Sequence, residues 1–167
     1  MLLRDTTPAD FPTILRLNAE SVHWLSPLTP ERLEELHQTA CYHKVACQED
    51  QVLGFLLAFR EGSSYSSPNY RWFSERYPRF CYIDRIVLHE AARGQGVGRQ
   101  LYGDLSTLAR TEAVPCLTCE YDLEPLNPGS QAFHQRLGFQ EIGRQQVYGK
   151  QVSLQLKTLN AGEQEWT

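Results

Sequence analysis

The chain is predicted to be a mixed α/β domain with a central sheet and a hairpin near each end. Three observations carry this. Short β-branched and aromatic runs alternate with segments of helical period. Three pairs of a capping residue and a proline, Thr7-Pro8, Thr29-Pro30 and Asn127-Pro128, mark helix starts. A glycine-rich stretch, Arg93-Gly94-Gln95-Gly96-Val97-Gly98-Arg99, separates the apolar run Ile86-Val87-Leu88 from Leu101, Leu105 and Leu108 at helical spacing.

The elements follow in order. Leu2 to Arg4 reads as a short edge strand. Thr7-Pro8 then opens a helix with Phe11, Ile14, Leu15, Asn18 and Val22 on one face, and Thr29-Pro30 opens a second with Leu33, Leu36 and Ala40. Lys44 to Gln48 and Val52 to Phe59 form a hairpin around Glu49-Asp50-Gln51. Glu61 to Arg79 is rich in turn formers and aromatics, and is read as a long loop with room for a helical turn, which serves as a substrate lid, an interface or its own packing. Cys81 to Leu88 is a strand, and a helix runs from the glycine stretch to about Arg110. Pro115 opens a strand to about Tyr121. The helix begun at Asn127 stops at Gly138, and Phe139–Val147 and Val152–Leu156 close the chain as a hairpin. Residues 1–160 are expected to form one domain, and residues 161–167 a polar tail.

Bulk composition bounds the function. The chain has 167 residues, 41% hydrophobic and 22% charged, which suits one core. A formal net charge of -4 argues against a nucleic-acid binder. The longest apolar run is too short to span a bilayer, so no membrane partner is expected. Met1-Leu2-Leu3-Arg4-Asp5 lacks a signal-peptide shape, because charge arrives at once. A cytoplasmic protein with five reduced cysteines is the expectation. Cys116 and Cys119 lie three apart on a predicted strand and face opposite sides, which disfavours joint chelation. His37, Cys41, His43 and Cys47 straddle a helix end and a strand. No metal site is expected from either set.

A strand, a glycine loop and a helix present backbone N–H groups to a phosphate. The spacing departs from the P-loop, since Gly98 is followed by Arg99-Gln100 rather than Lys and a hydroxyl residue. It also departs from the dinucleotide fingerprint, whose glycines are spaced G-x-G-x-x-G. The residues alone leave the phosphate ligand open, and tight packing at a strand–helix junction is the bland alternative.

The stretch from Leu88 to Gly98 resembles the acetyl-coenzyme A loop of the GCN5-related N-acetyltransferases, with Arg93, Gly96 and Gly98 meeting the family pattern. The block Asn127-Pro128-Gly129-Ser130-Gln131-Ala132-Phe133-His134 through Leu137-Gly138-Phe139 resembles the family's second cofactor-side helix. The resemblance implies a GNAT-type fold with a mixed, mostly antiparallel sheet flanked by helices. It implies that Gly94, Gln95, Gly96, Val97, Gly98 and Arg99, with Arg93, hold the pyrophosphate of acetyl-coenzyme A. It places Ile86, Val87 and Leu88 along the pantetheine, and Asn127, Ser130 and Phe133 on the far side. The family usually has a tyrosine after the position of Phe133; this chain has His134.

Acetyl transfer to an amine needs a base for the ammonium, a donor for the thioester oxygen and an acid for the thiolate. Asp84 and Glu120 are the candidate bases or ligands of a cationic acceptor. A backbone N–H near Leu88 is the candidate oxyanion donor, and His134 the candidate acid. For Asp84 a salt bridge with Arg85 is the competing role. His89 reads as a surface residue, and Tyr121 and Tyr148 as substitute donors. The expected activity is acetyl transfer from acetyl-coenzyme A to a small-molecule or peptide amine. The alternative is a coenzyme A-binding module without catalysis, which the missing tyrosine keeps open. Exposed strand edges and the aromatic stretch allow a homodimer.

Overall fold

In the computed structural model, which describes residues 1–160, each of the three cap-and-proline pairs opens a helix. The tail expected at 161–167 lies outside the described residues. Five α-helices and seven strands are found among the described residues, and the strands form one mostly antiparallel sheet in the order β1-β2-β3-β4-β5-β7-β6. No described helix is long and apolar enough to cross a membrane. The described residues divide into two compact units, one of residues 1–59 and 83–105, the other of residues 60–82 and 106–160.

In the first unit, β1 (Leu2–Asp5) pairs antiparallel with β2 (Tyr42–Gln48), which pairs with β3 (Gln51–Arg60). The turn uses Glu49 at φ 54. A short 3-10 helix, Pro8–Asp10, leads into α1 (Phe11–Glu20). Asp10 accepts two hydrogen bonds from Arg4, both at 2.8 Å, and one from the Thr7 N–H at 2.9 Å. These bonds tie β1 to the helix start and hold the Asp10 carboxyl down at about 2. Thr29 caps α2 (Pro30–Thr39) by accepting from the Arg32 N–H at 3.1 Å. Ile14 and Leu17 of α1, Leu33 of α2, Val45 of β2 and Phe55 of β3 bury their side chains together with Val87. Each such burial stabilises by about 1.5–3 kcal/mol.

The strand expected at Cys81–Leu88 is β4, with those limits. A second 3-10 turn, Glu90–Ala92, and the glycine stretch lead to α4 (Val97–Thr111). Its buried stripe is Leu101, Leu105 and Ala109, with Leu108 only half-buried.

In the second unit, β5 (Cys116–Glu124) pairs antiparallel with β7 (Lys150–Thr158), and β7 with β6 (Gln140–Val147). The parallel ladder of β4 with β5 matches Cys81 to Leu117 and Tyr82 to Thr118. β5 runs three residues past its expected end. Tyr148 and Gly149 turn the last hairpin at φ 50 and φ 76, the left-handed pair that a two-residue turn requires. Asn127 caps α5 (Pro128–Arg136), and Gly138 ends it at φ 86.

The stretch 61–79, expected as a long loop with room for a helical turn, contains α3 (Pro68–Ser74), a helix of two turns. Ser67 accepts from the Tyr70 N–H at 3.1 Å, so Ser67-Pro68 is a fourth capping pair. The helix packs on β6: a Cβ on Gly143 would stand 2.6 Å from the Trp72 ring. Asn69 accepts from the Gln145 side chain at 2.8 Å. Tyr70, Phe73, Phe80 and Tyr82 then stack in tilted and edge-on pairs. The aromatics of this stretch thus build a core of the second unit.

Candidate active site

Strand alternation sorts the side chains of β4. Ile83, Arg85 and Val87 are buried, while Asp84, Ile86 and Leu88 are half-buried on the opposite face. The end of β4 lies close against β3. A Cβ on Gly54 would meet Leu88 Cδ2 at 2.7 Å and the Val87 carbonyl at 2.9 Å, so only glycine allows this approach. The His89 N–H donates to the Leu53 carbonyl at 2.8 Å and extends the register past the strand.

Gly94 and Gly96 have φ 72 and φ 77, and nothing lies within 4 Å of where a Cβ would stand on either. Both are left-handed positions that open onto free space, as a cradle for a backbone-bound anion requires. The first helical bond of α4 runs from the Gln100 N–H to the Gly96 carbonyl at 3.0 Å. Val97, Gly98 and Arg99 therefore form the first turn of α4. Arg93 donates from Nε to the Leu88 carbonyl at 3.3 Å, which links the loop to the strand end. His89 accepts from the Ala91 N–H through Nδ1 at 3.1 Å, so in the neutral ring its proton sits on Nε2. A pocket of about 400 Å³ lies here, between Leu17, Glu20 and Ser21 of α1 and its end, and Leu88, His89, Glu90 and Arg93.

The two carboxylates meet different partners. Asp84 pairs with Arg85, Oδ2 to Nε at 2.6 Å, with both side chains 6% exposed. Glu120, on β5, accepts from the Tyr82 hydroxyl at 2.8 and 3.0 Å. Tyr82 is buried, and the ring of Tyr65 stacks on it at 6.1 Å. Further along β5, Asp122 pairs with Lys150 at 3.0 Å.

His134 is buried on α5. Its Nδ1 lies 2.7 Å from the Ser130 carbonyl, which can only accept, so Nδ1 carries the proton and Nε2 the lone pair. Burial lowers the His134 pKa, against the Ser130 bond that raises it. The rings of Phe133 and Phe139 each meet it edge-on at 5.2 Å, and Tyr121 lies at 5.9 Å. The Asn127 carboxamide caps α5 by accepting from the Ser130 N–H at 3.2 Å.

The expected site residues thus fall into two sets. Asp84, Ile86, Val87, Leu88 and the loop Arg93–Arg99 belong to the first unit. Glu120, Asn127, Ser130, Phe133 and His134 belong to the second. Two partners were not expected. Tyr82 lies two residues before Asp84 on the same strand face, a period-2 signal that could have found it. Asn18 and Ser26, which bind Arg85, sit far from it in sequence and carry no such signal.

The cysteines and histidines outside this region are accounted for by packing. Cys47, Cys81, Cys116 and Cys119 are buried and in no disulfide, and burial pushes Cys116 up to about 11. His37 and His43 bond to each other, Nδ1 to Nδ1 at 2.8 Å. Among the described residues, no three His, Cys, Asp or Glu gather in a way that could hold a metal ion.

A family model described as the acetyltransferase (GNAT) family matches residues 9–139. No curated protein sequence matches significantly. Among solved structures, Ard1 from Thermoplasma volcanium superposes with a TM-score of 0.78 at 16% identity, over 95% of this chain and 97% of that one. A ribosomal-protein-alanine N-acetyltransferase from Brucella melitensis gives 0.70 at 24% identity, over 95% and 100%. The protein yncA from Salmonella typhimurium, solved with acetyl-CoA, gives 0.70 at 18% identity, over 96% and 94%. At these identities the likeness shows the fold.

Proposed function

Because this chain belongs to the acetyltransferase (GNAT) family, which uses acetyl-coenzyme A, we propose that it acetylates a primary amine on a small molecule or a peptide. The observation that carries the proposal is the pair of left-handed glycines, Gly94 and Gly96, open to solvent at the head of α4 and just past β4. The name of the Brucella relative supports a peptide amine as one acceptor class.

Bound acetyl-coenzyme A would supply the activated acetyl group as a thioester. Backbone N–H groups of residues 95–99 would hold its pyrophosphate, with Arg93 adding positive charge. Ile86, Val87 and Leu88 would run beside the pantetheine, and the main chain near Leu88 would donate to the acyl oxygen.

The carboxylates take separate roles. The Asp84 carboxylate is held in an ion pair by the buried Arg85 guanidinium. Glu120 is oriented by the neutral hydroxyl of Tyr82, so Glu120 is the proposed proton acceptor for the ammonium, directly or through water. His134 would act as a neutral ring at pH 7, because burial disfavours its cation. It would then offer the Nε2 lone pair as a hydrogen-bond acceptor, while its Nδ1 proton stays on Ser130.

The test pairs calorimetric titration of acetyl-coenzyme A with release of free coenzyme A on a panel of primary amines and peptides. Binding together with amine-dependent release supports the proposal. Binding without release on any acceptor would leave a coenzyme A-binding module, and no binding would remove both readings.

A further inference from the structure

Residues 21–29, between α1 and α2, contain turns and a bend but no helix or strand. One buried side chain nevertheless grips this connection. The Arg85 side chain, 6% exposed, donates from Nη1 to the Asn18 side-chain oxygen at 2.9 Å and to the Ser26 carbonyl at 3.1 Å. Its Nη2 donates to the Ser26 hydroxyl at 3.1 Å, and its Nε holds Asp84. Asn18, itself 1% exposed, donates to the same Ser26 carbonyl at 3.1 Å. All three guanidinium nitrogens are engaged, and Ser26 is held through both main chain and side chain.

A buried guanidinium is a costly way to fill space. Val87, two residues on along the same face of β4, packs in the apolar cluster with Ile14 and Leu17. An apolar side chain at 85 could have joined that cluster. What a planar fork adds is direction, because its donors have fixed geometry. The connection held in this way begins at Ser21. Ser21 and Glu20 form one wall of the pocket whose other wall is Leu88, His89 and Glu90, the strand end given above to the acyl group.

We propose that Arg85 is a positioning residue for the acceptor. It locks residues 21–29 to β4, and so presets the wall against which the amine docks. This rests on the acetyl-transfer reading. A role in folding alone would lower stability without separating acceptor binding from cofactor binding.

The test compares Arg85→Met, Arg85→Lys and Leu36→Ala, the last a core change that destabilises α2 away from the clamp. Hydrogen exchange of residues 21–29 and calorimetric acetyl-coenzyme A affinity are read on each protein. KM and kcat are read for an alanine-starting peptide and for cadaverine. In Arg85→Met, exchange of 21–29 should quicken by about tenfold or more over Leu36→Ala, as expected when a local clamp is lost. Acceptor KM should rise by about tenfold, with kcat and cofactor affinity changed by less than about threefold. Lysine should restore part of the loss, since it keeps the charge but not the fork. Exchange no faster than in Leu36→Ala, or an unchanged acceptor KM, would overturn the proposal. Wild-type protein that turns over neither probe would count against the acetyl-transfer reading instead, and the proposal would fall with it. Should Arg85→Met fail to fold, Asn18→Ala loosens the clamp from α1 and is read in the same way.

Discussion

The Tyr82 hydroxyl donates to both carboxylate oxygens of Glu120, at 2.8 and 3.0 Å, from a position that is 1% exposed. The bond therefore orients the Glu120 carboxylate. Tyr82→Phe keeps the ring among Tyr65, Tyr70 and Phe73 and removes only that donor. Turnover should then fall by about tenfold, since a hydrogen bond to a charged group contributes about 1.5–3 kcal/mol and the carboxylate loses the group that orients it. Unchanged turnover would take Glu120 out of the proton-transfer step.

Gly94 and Gly96 should not tolerate alanine. An L side chain in the left-handed region costs about 1–2 kcal/mol, and at these two positions it would also intrude on the space offered to the pyrophosphate. Acetyl-coenzyme A affinity should fall by about tenfold or more in either variant, measured by calorimetry. Gly62, at φ 74 in the segment after β3, is the control. Gly62→Ala should lose stability yet keep its affinity.

His43 should make the fold acid-sensitive well above the carboxylate range. It is 8% exposed, its Nε2 is buried without a hydrogen-bond partner, and it faces His37. Burial first, and then the His37 charge, lower its pKa from 6.5 to about 4, while Asp10 acts in the opposite sense. The folded state thus binds fewer protons than the unfolded state between pH 4 and 6.5. Stability falls as pH drops through that window, by about 2 kcal/mol between pH 7.5 and pH 5. Denaturant midpoints across this range should flatten in His43→Phe, and an equal slope in the variant would refute the assignment.

His134 should titrate below the ordinary histidine range and, when neutral, carry its proton on Nδ1. Nitrogen-detected NMR of labelled histidine reads both properties. A ring protonated at pH 7 would restore it as a proton donor to the departing sulfur.

Much of the fold was legible because its signals are local. A hydroxyl or amide residue before a proline started helices at Thr7, Thr29 and Asn127. The same signal at Ser67 was hidden among glycine, serines and aromatics, in a helix of seven residues that is too short to show a period. The alternation of β4 placed Asp84, Ile86 and Leu88 on one face, as the burial pattern bears out. The partners of those residues were not legible. Arg85 reaches Asn18 across 67 positions, and Tyr82 reaches Glu120 across 38. Hydrogen bonds over such distances follow from the folded arrangement of whole elements and leave no spacing to read. The same holds for His134, whose tautomer depends on the carbonyl that its ring finds.

The alternation along β4 also bears on how such a chain can diversify. Point changes at Ile86 or Leu88 alter the half-buried face and leave the core side intact, whereas a change at Asp84 also takes a partner from the buried Arg85. Changes at Ile83, Arg85 or Val87 disturb the interior first. Inserting or deleting a single residue between Cys81 and Leu88 would exchange the two sets at once, sending the guanidinium to one side and the carboxylate to the other. Inheritance can therefore retune this strand letter by letter, but it must preserve the strand's length.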